Sequence, residues 1–228
     1  PAQRLRPIAS GALNREVASV MSPALAALGM LLARNSEPPA LACLLGYLVL
    51  GASYSLLLKR IVIADVLAIA GGFILRAAAG ACAIRVEISP WLFICTLLLA
   101  LFLALAKRRH ELGRRREPRQ GRAVLGLYTP ALLDQMIAVV ASGTLMAYIL
   151  YAFSDQTALK FPSRLMPLTI PFVLYGIFRY LYLVHRRAAG APAHAGAEEP
   201  ESLLFRDVPL LANVLLYVLA VAAVVGAR

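Results

Sequence analysis

Acidic residues are scarce in this chain: 12 aspartates and glutamates stand against 23 lysines and arginines. Polar faces are scarcer still. A soluble helical protein carries a polar stripe along each helix, whereas from Trp91 to Ala106 the polar exceptions are Cys95 and Thr96. That pattern excludes a soluble bundle. Three cysteines, Cys43, Cys82 and Cys95, lie in or beside apolar runs with no metal-type spacing, and they read as small apolar fillers. Three histidines, His110, His185 and His194, are scattered over two loops and form no ligand set. With no Ser-His-Asp arrangement either, neither a zinc site nor triad chemistry has its residues. No internal repeat stands out.

Apolar residues are plentiful. They make up 61% of the chain, with a mean hydropathy of +0.74, against roughly 45–50% in globular domains. They fall in runs close to the roughly 20 residues that cross a bilayer as a helix. Seven such runs are predicted, at about 17–34, 39–57, 61–83, 90–106, 131–152, 166–184 and 208–226. The expected fold is an all-α polytopic membrane protein, a single membrane domain over 1–228. Its opening residues, Pro1 to Pro7, read as the end of a loop, so a further upstream part is expected.

The net charge of +11 is a topology signal, which argues against a nucleic-acid partner. Sixteen lysines and arginines fall on one set of alternating loops, five on the other, and Arg76 and Arg179 lie inside spans. The richer side is expected to be cytoplasmic. It includes a basic loop at 107–130 and a flexible Ala-, Gly- and Pro-rich loop at 186–206.

The most informative stretch runs from Tyr54 to Asp65 and contains Lys59 and Arg60. It is polar, lies between two apolar runs, and is expected to face water at the membrane surface. Ionisable groups held at a bilayer are functional candidates. Eleven residues on from Asp65, close to three helical turns, Arg76 projects from the same face, with Ile69, Gly72 and Gly80 in the same stripe. Arg76 must find an anion: a carboxylate on another helix, or a ligand phosphate gripped by its planar fork. Tyr175, Arg179 and Tyr182 share a helical face and read first as an interfacial anchor, while Asp134 and Gln135 suit a helix N-terminus. Lys107 ends a span and can reach into a cavity.

These segments resemble the UbiA superfamily of intramembrane prenyltransferases. The closest likeness is to its branch that transfers phosphoribose to decaprenyl phosphate. The resemblance rests on Arg6-Pro7-Ile8-Ala9-Ser10-Gly11, on Tyr54-x-x-x-Leu58-Lys59-x-x-x-x-x-Asp65, and on Gly72 to Arg76, Ile88 to Trp91 and Ala104 to Arg109. It weakens beyond about Arg109. It implies a nine-helix UbiA-type bundle, of which seven helices lie in this chain, around a cavity open to the cytoplasm of a bacterial inner membrane. The family's aspartate-rich first motif is absent here, and Gln3 stands where the family has a lysine, with Arg4 as the nearest cation.

What the resemblance implies is an enzyme that moves 5-phosphoribose from phosphoribosyl pyrophosphate to a polyprenyl phosphate, for cell-envelope arabinose donors. In that scheme Lys59, Asp65 and Tyr54 are catalytic. Arg4, Arg6, Lys59, Arg76 and Lys107 hold phosphate, and Asp65 binds Mg2+ together with carboxylates from the absent motif. Two alternatives remain at this point: a UbiA-type prenyltransferase with an aromatic acceptor, and a non-catalytic transporter.

Overall fold

In the computed structural model, residues 11, 14–33, 37–86, 89–113, 126–160, 165–188 and 207–226 are described. All of the regular structure among them is helical. The helices are α1 (Arg15–Leu32), α2 (Pro38–Leu56), α3 (Ala64–Ala83), α4 (Pro90–Gly113), α5 (Pro130–Phe153), α6 (Asp155–Lys160), α7 (Ile170–Ala188) and α8 (Val208–Gly226). Short 3₁₀ turns, Leu58–Arg60 and Met166–Thr169, precede α3 and α7. Each of the seven long helices overlaps one of the seven expected spans.

Local chemistry sets several of these boundaries. Pro38 and Pro130 occupy first helical turns, where a missing N–H costs nothing. Thr129 caps α5 by accepting the Leu132 N–H at 3.2 Å. Asp207 caps α8 by accepting the Leu210 N–H at 2.9 Å. Five described segments are long and apolar enough to cross a bilayer: α2, α3, α5, α8 and Met166–Arg186. The chain is a multi-pass membrane protein.

Short connections make α2, α3 and α4 neighbours in sequence order, and the broadest contacts are α4 on α5, across a longer connection, and α2 on α3. The core gathers Phe102 and Leu105 of α4, Leu133 and Ile137 of α5, and Ile177 and Tyr180 of α7. The rings of Phe102 and Tyr180 lie 5.3 Å apart between centroids. Large apolar side chains such as Val20, Val49, Val139 and Leu215 point outward, as lipid contact requires. Gly176 leaves room for Asn213 to donate to the Phe172 carbonyl at 2.9 Å, which satisfies a polar group inside the bilayer.

α4 differs from expectation. Instead of ending near Ala106 it continues to Gly113, so Lys107 to Gly113 is helix, and the expected 107–130 loop is shorter by that much. The reason is periodic: Leu101, Leu105 and Leu112 keep one apolar face going, with Arg108 in the same row. α7 likewise extends to Ala188, and 189–206 lies outside the described residues.

Candidate active site

α2 ends at Leu56, and the chain turns back through Leu58–Arg60 into α3. This turn exposes Lys59 and Arg60. It closes at Ile63, whose φ of 70° and ψ of −45° come with an Ala64 N–H to Val62 carbonyl bond of 2.8 Å. That is a γ-turn of the strained, left-handed kind, rare for any residue and rarer for a β-branched one.

Asp65 follows in the first turn of α3, where the helix dipole favours a carboxylate. It does not face water as expected: it is 0% exposed. The cause is a partner from the stretch expected to form a basic loop. Arg108 of α4, itself 1% exposed, donates from Nε to Asp65 Oδ2 at 2.7 Å. Its Nη1 donates to Glu111 at 2.9 Å and its Nη2 approaches the Tyr54 hydroxyl at 3.4 Å. Tyr128, just before the α5 cap, donates from its hydroxyl to Asp65 Oδ1 at 2.8 Å. The same hydroxyl accepts the Ile63 N–H at 2.7 Å. Burial, reinforced by the neighbouring Asp65 carboxylate, pushes the Tyr128 hydroxyl up to about 12, so it keeps its proton.

Between α2 and α3 lies a cavity of about 170 Å³ whose walls include Tyr47, Tyr54, Ile69, Gly72 and Arg76. The expected stripe is therefore real for Ile69, Gly72 and Arg76, while Gly80 does not line the cavity and Asp65 turns instead to Arg108 and Tyr128. Arg76 donates from Nε to the Gly72 carbonyl at 3.1 Å, and its guanidinium lies 4.5 Å from the Phe73 ring centroid and 5.3 Å from that of Tyr47. Among the described residues no carboxylate pairs with it. Of the two anions expected for Arg76, the carboxylate on another helix is not what these residues provide.

Further ion pairs gather at the same end of the bundle. Arg109 grips Asp134 at 2.8 and 3.3 Å, with His185 Nε2 at 3.5 Å. Asp134 thus ties α4 to α5 in addition to sitting near a helix start, with His185 of α7 close by. Arg179, expected as an interfacial anchor, pairs with both oxygens of Asp207 at 3.0 and 2.8 Å and also lies over Tyr182. This pair holds the Asp207 carboxyl below its ordinary range.

The structure thus assembles Tyr54 and Asp65 through Arg108, places Lys59 exposed on the adjoining turn, and sets Arg76 along the cavity. Lys107 is half-buried in the last turns of α4, and Arg4 and Arg6 lie outside the described residues. Arg108 and Tyr128 are the functional candidates that sequence reasoning missed. The signals were present: the α4 apolar period passes through Arg108, and Tyr128 immediately precedes a Thr-Pro helix start, the staple position, and shares a buried core with Leu133.

The donor set does not make a metal site by itself. Both Asp65 oxygens already accept hydrogen bonds, and among the described residues no group of three or more His, Cys, Asp or Glu could hold an ion. What the arrangement offers is cation and hydroxyl donors to an anion.

The sequence profile of the UbiA prenyltransferase family matches residues 1–197. The chain belongs to that family. Among the relatives of this UbiA chain are decaprenyl-phosphate phosphoribosyltransferases. The one from Corynebacterium glutamicum is 33% identical over 84% of this chain and 59% of its own length. Those from Mycobacterium tuberculosis and Mycolicibacterium smegmatis are 26% and 27% identical, over 99% and 91% of this chain and 72% and 65% of theirs. The chain therefore spans about three-fifths to three-quarters of the length of these relatives.

Proposed function

We propose that this UbiA-family chain carries the phosphate-holding part of a membrane transferase that moves 5-phosphoribose from phosphoribosyl pyrophosphate to decaprenyl phosphate, at the cytoplasmic face of the bacterial inner membrane. The observation that carries the reading is Arg76. It is an arginine within a span, exposed along a cavity shared with Tyr54, and has no carboxylate among the described residues. A charge at that depth demands an anion, and arginine's fork suits phosphate. The names of the relatives supply the substrate class.

In the reaction, an oxygen of the lipid phosphate forms a bond to the anomeric carbon of ribose. The bond from that carbon to the pyrophosphate oxygen breaks, and pyrophosphate leaves with the electron pair. The nucleophile is already ionised at neutral pH, so no strong general base is needed. Lys59 and Arg76 hold phosphate oxygens and place positive charge where negative charge develops. Arg4, Arg6 and Lys107 are further cations assigned to the same role. Tyr54 hydrogen-bonds phosphate or sugar, and Asp65 fixes Arg108 against Tyr54. A magnesium ion would supply charge to neutralise the pyrophosphate, and Asp65, whose oxygens already accept from Arg108 and Tyr128, would help hold it only in company with carboxylates beyond the described residues. The test is transfer of labelled phosphoribose to decaprenyl phosphate, beside transfer of a polyprenyl group to an aromatic acid. Activity in the second assay alone removes the reading.

A further inference from the structure

The residue that the scheme above leaves unused is Tyr128, and its contacts are unusual. One buried hydroxyl, 2.7 Å from the Ile63 N–H and 2.8 Å from Asp65 Oδ1, joins the backbone of the strained turn to the first turn of α3. Ile63 is held at φ 70°, where a β-branched side chain crowds its own backbone. Such a conformation persists only where its surroundings over-determine it, and strain of this kind gathers at functional sites. On one side of this turn are Lys59 and Arg60; on the other is Asp65, the anchor of Arg108.

We propose that Tyr128 is a positioning residue: its hydroxyl locks the Ile63 γ-turn and so fixes Lys59 in its phosphate-holding place relative to Tyr54 and Arg76. The proposal rests on the reading of Lys59 as a phosphate ligand. Tyr128 touches no substrate in this scheme. Without its hydroxyl, the Ile63 N–H loses its acceptor and Asp65 loses one donor. The Ile63 carbonyl still accepts from Val66 and Leu67 and Asp65 still pairs with Arg108, but the return of Ile63 to negative φ is less opposed, and the Lys59 turn re-aims against α3. A phenylalanine at 128 keeps the ring in the core beside Leu133 and removes the lock alone.

The test compares wild type, Tyr128→Phe, and Tyr128→Phe combined with Ile63→Gly, all in the complete protein in membranes. Glycine adopts positive φ without strain, so it relieves the need for the lock. Two readouts are taken: amide hydrogen exchange over 57–66, and steady-state transfer from phosphoribosyl pyrophosphate. The expected result for Tyr128→Phe is faster exchange in that stretch and a rise in KM for phosphoribosyl pyrophosphate on the order of tenfold, with a much smaller change in kcat. The double variant is expected to recover most of the KM, which a lost packing contact would not allow. Unchanged exchange and KM in Tyr128→Phe, or no recovery in the double variant, overturns the positioning role. Wild type that neither binds nor uses phosphoribosyl pyrophosphate overturns the underlying reading instead.

Discussion

Arg108 and Asp65 form a buried ion pair at 2.7 Å that joins α4 to the first turn of α3. The two are 43 residues apart in sequence, and around their contact stand the Tyr54 hydroxyl, Glu111 and Tyr128. Charges buried to this degree are costly alone and tolerable together.

Removing Arg108 therefore leaves an uncompensated buried carboxylate. Arg108→Ala is expected to destabilise the protein by about 3–5 kcal/mol. Arg108→Lys keeps the charge but cannot reach Asp65, Glu111 and Tyr54 at once, so it should recover only part of that loss. Thermal unfolding of the purified protein in detergent measures both; unchanged unfolding temperatures would remove the pair from the architecture.

Lys59 and Asp65 separate cleanly. The sequence alone suggests that Asp65→Ala and Lys59→Ala both abolish transfer without loss of folded protein. The burial of Asp65 changes half of that expectation: Asp65→Ala leaves the buried Nε of Arg108 without its acceptor and should lower folded yield as well. Lys59, exposed on its turn, should give normal folded yield and reduced transfer when replaced by alanine. Equal yields for the two variants on size-exclusion chromatography would contradict the difference in burial.

Arg76 has no carboxylate to leave behind among the described residues. Arg76→Ala should shift the unfolding temperature little, while transfer falls by on the order of tenfold or more for loss of a phosphate contact. Arg76→Lys should restore less than half of the lost rate, because an ammonium neither forks nor stacks as well on Phe73 and Tyr47. Full activity in Arg76→Ala would take this residue out of the site.

The membrane architecture could be read in advance because most spans are apolar nearly all round, and a run such as Trp91 to Ala106 has only one reading. The cavity stripe of Ile69, Gly72 and Arg76 was equally legible, since helical spacing puts those residues on one face whatever packs against them. Arg108 and Tyr128 were not read because their importance is a matter of pairing across distant segments. A basic run such as Lys107 to Arg109 looks solvated until one of its members meets Asp65. The same holds for Arg179, whose partner Asp207 lies across a long connection.

Asp207 gives a pH test. Its carboxyl, depressed from 3.8 chiefly by the hydrogen bond from Arg179, contributes stability that is present above the unfolded value. That contribution is lost as pH falls through the lower folded value. The gap in unfolding temperature between wild type and Asp207→Asn should hold from pH 7 to about pH 5 and close below 3.8. A gap that persists there would assign the effect to capping of α8 by a neutral side chain.

The proposed transfer of phosphoribose to a lipid phosphate has Lys59 as a phosphate ligand. Its most direct test supplies membranes carrying the complete protein with labelled phosphoribosyl pyrophosphate and decaprenyl phosphate, then extracts the lipid. The account predicts label in the lipid with wild type and little with Lys59→Ala at equal protein. Absence of label with wild type, or equal label with both, would contradict it.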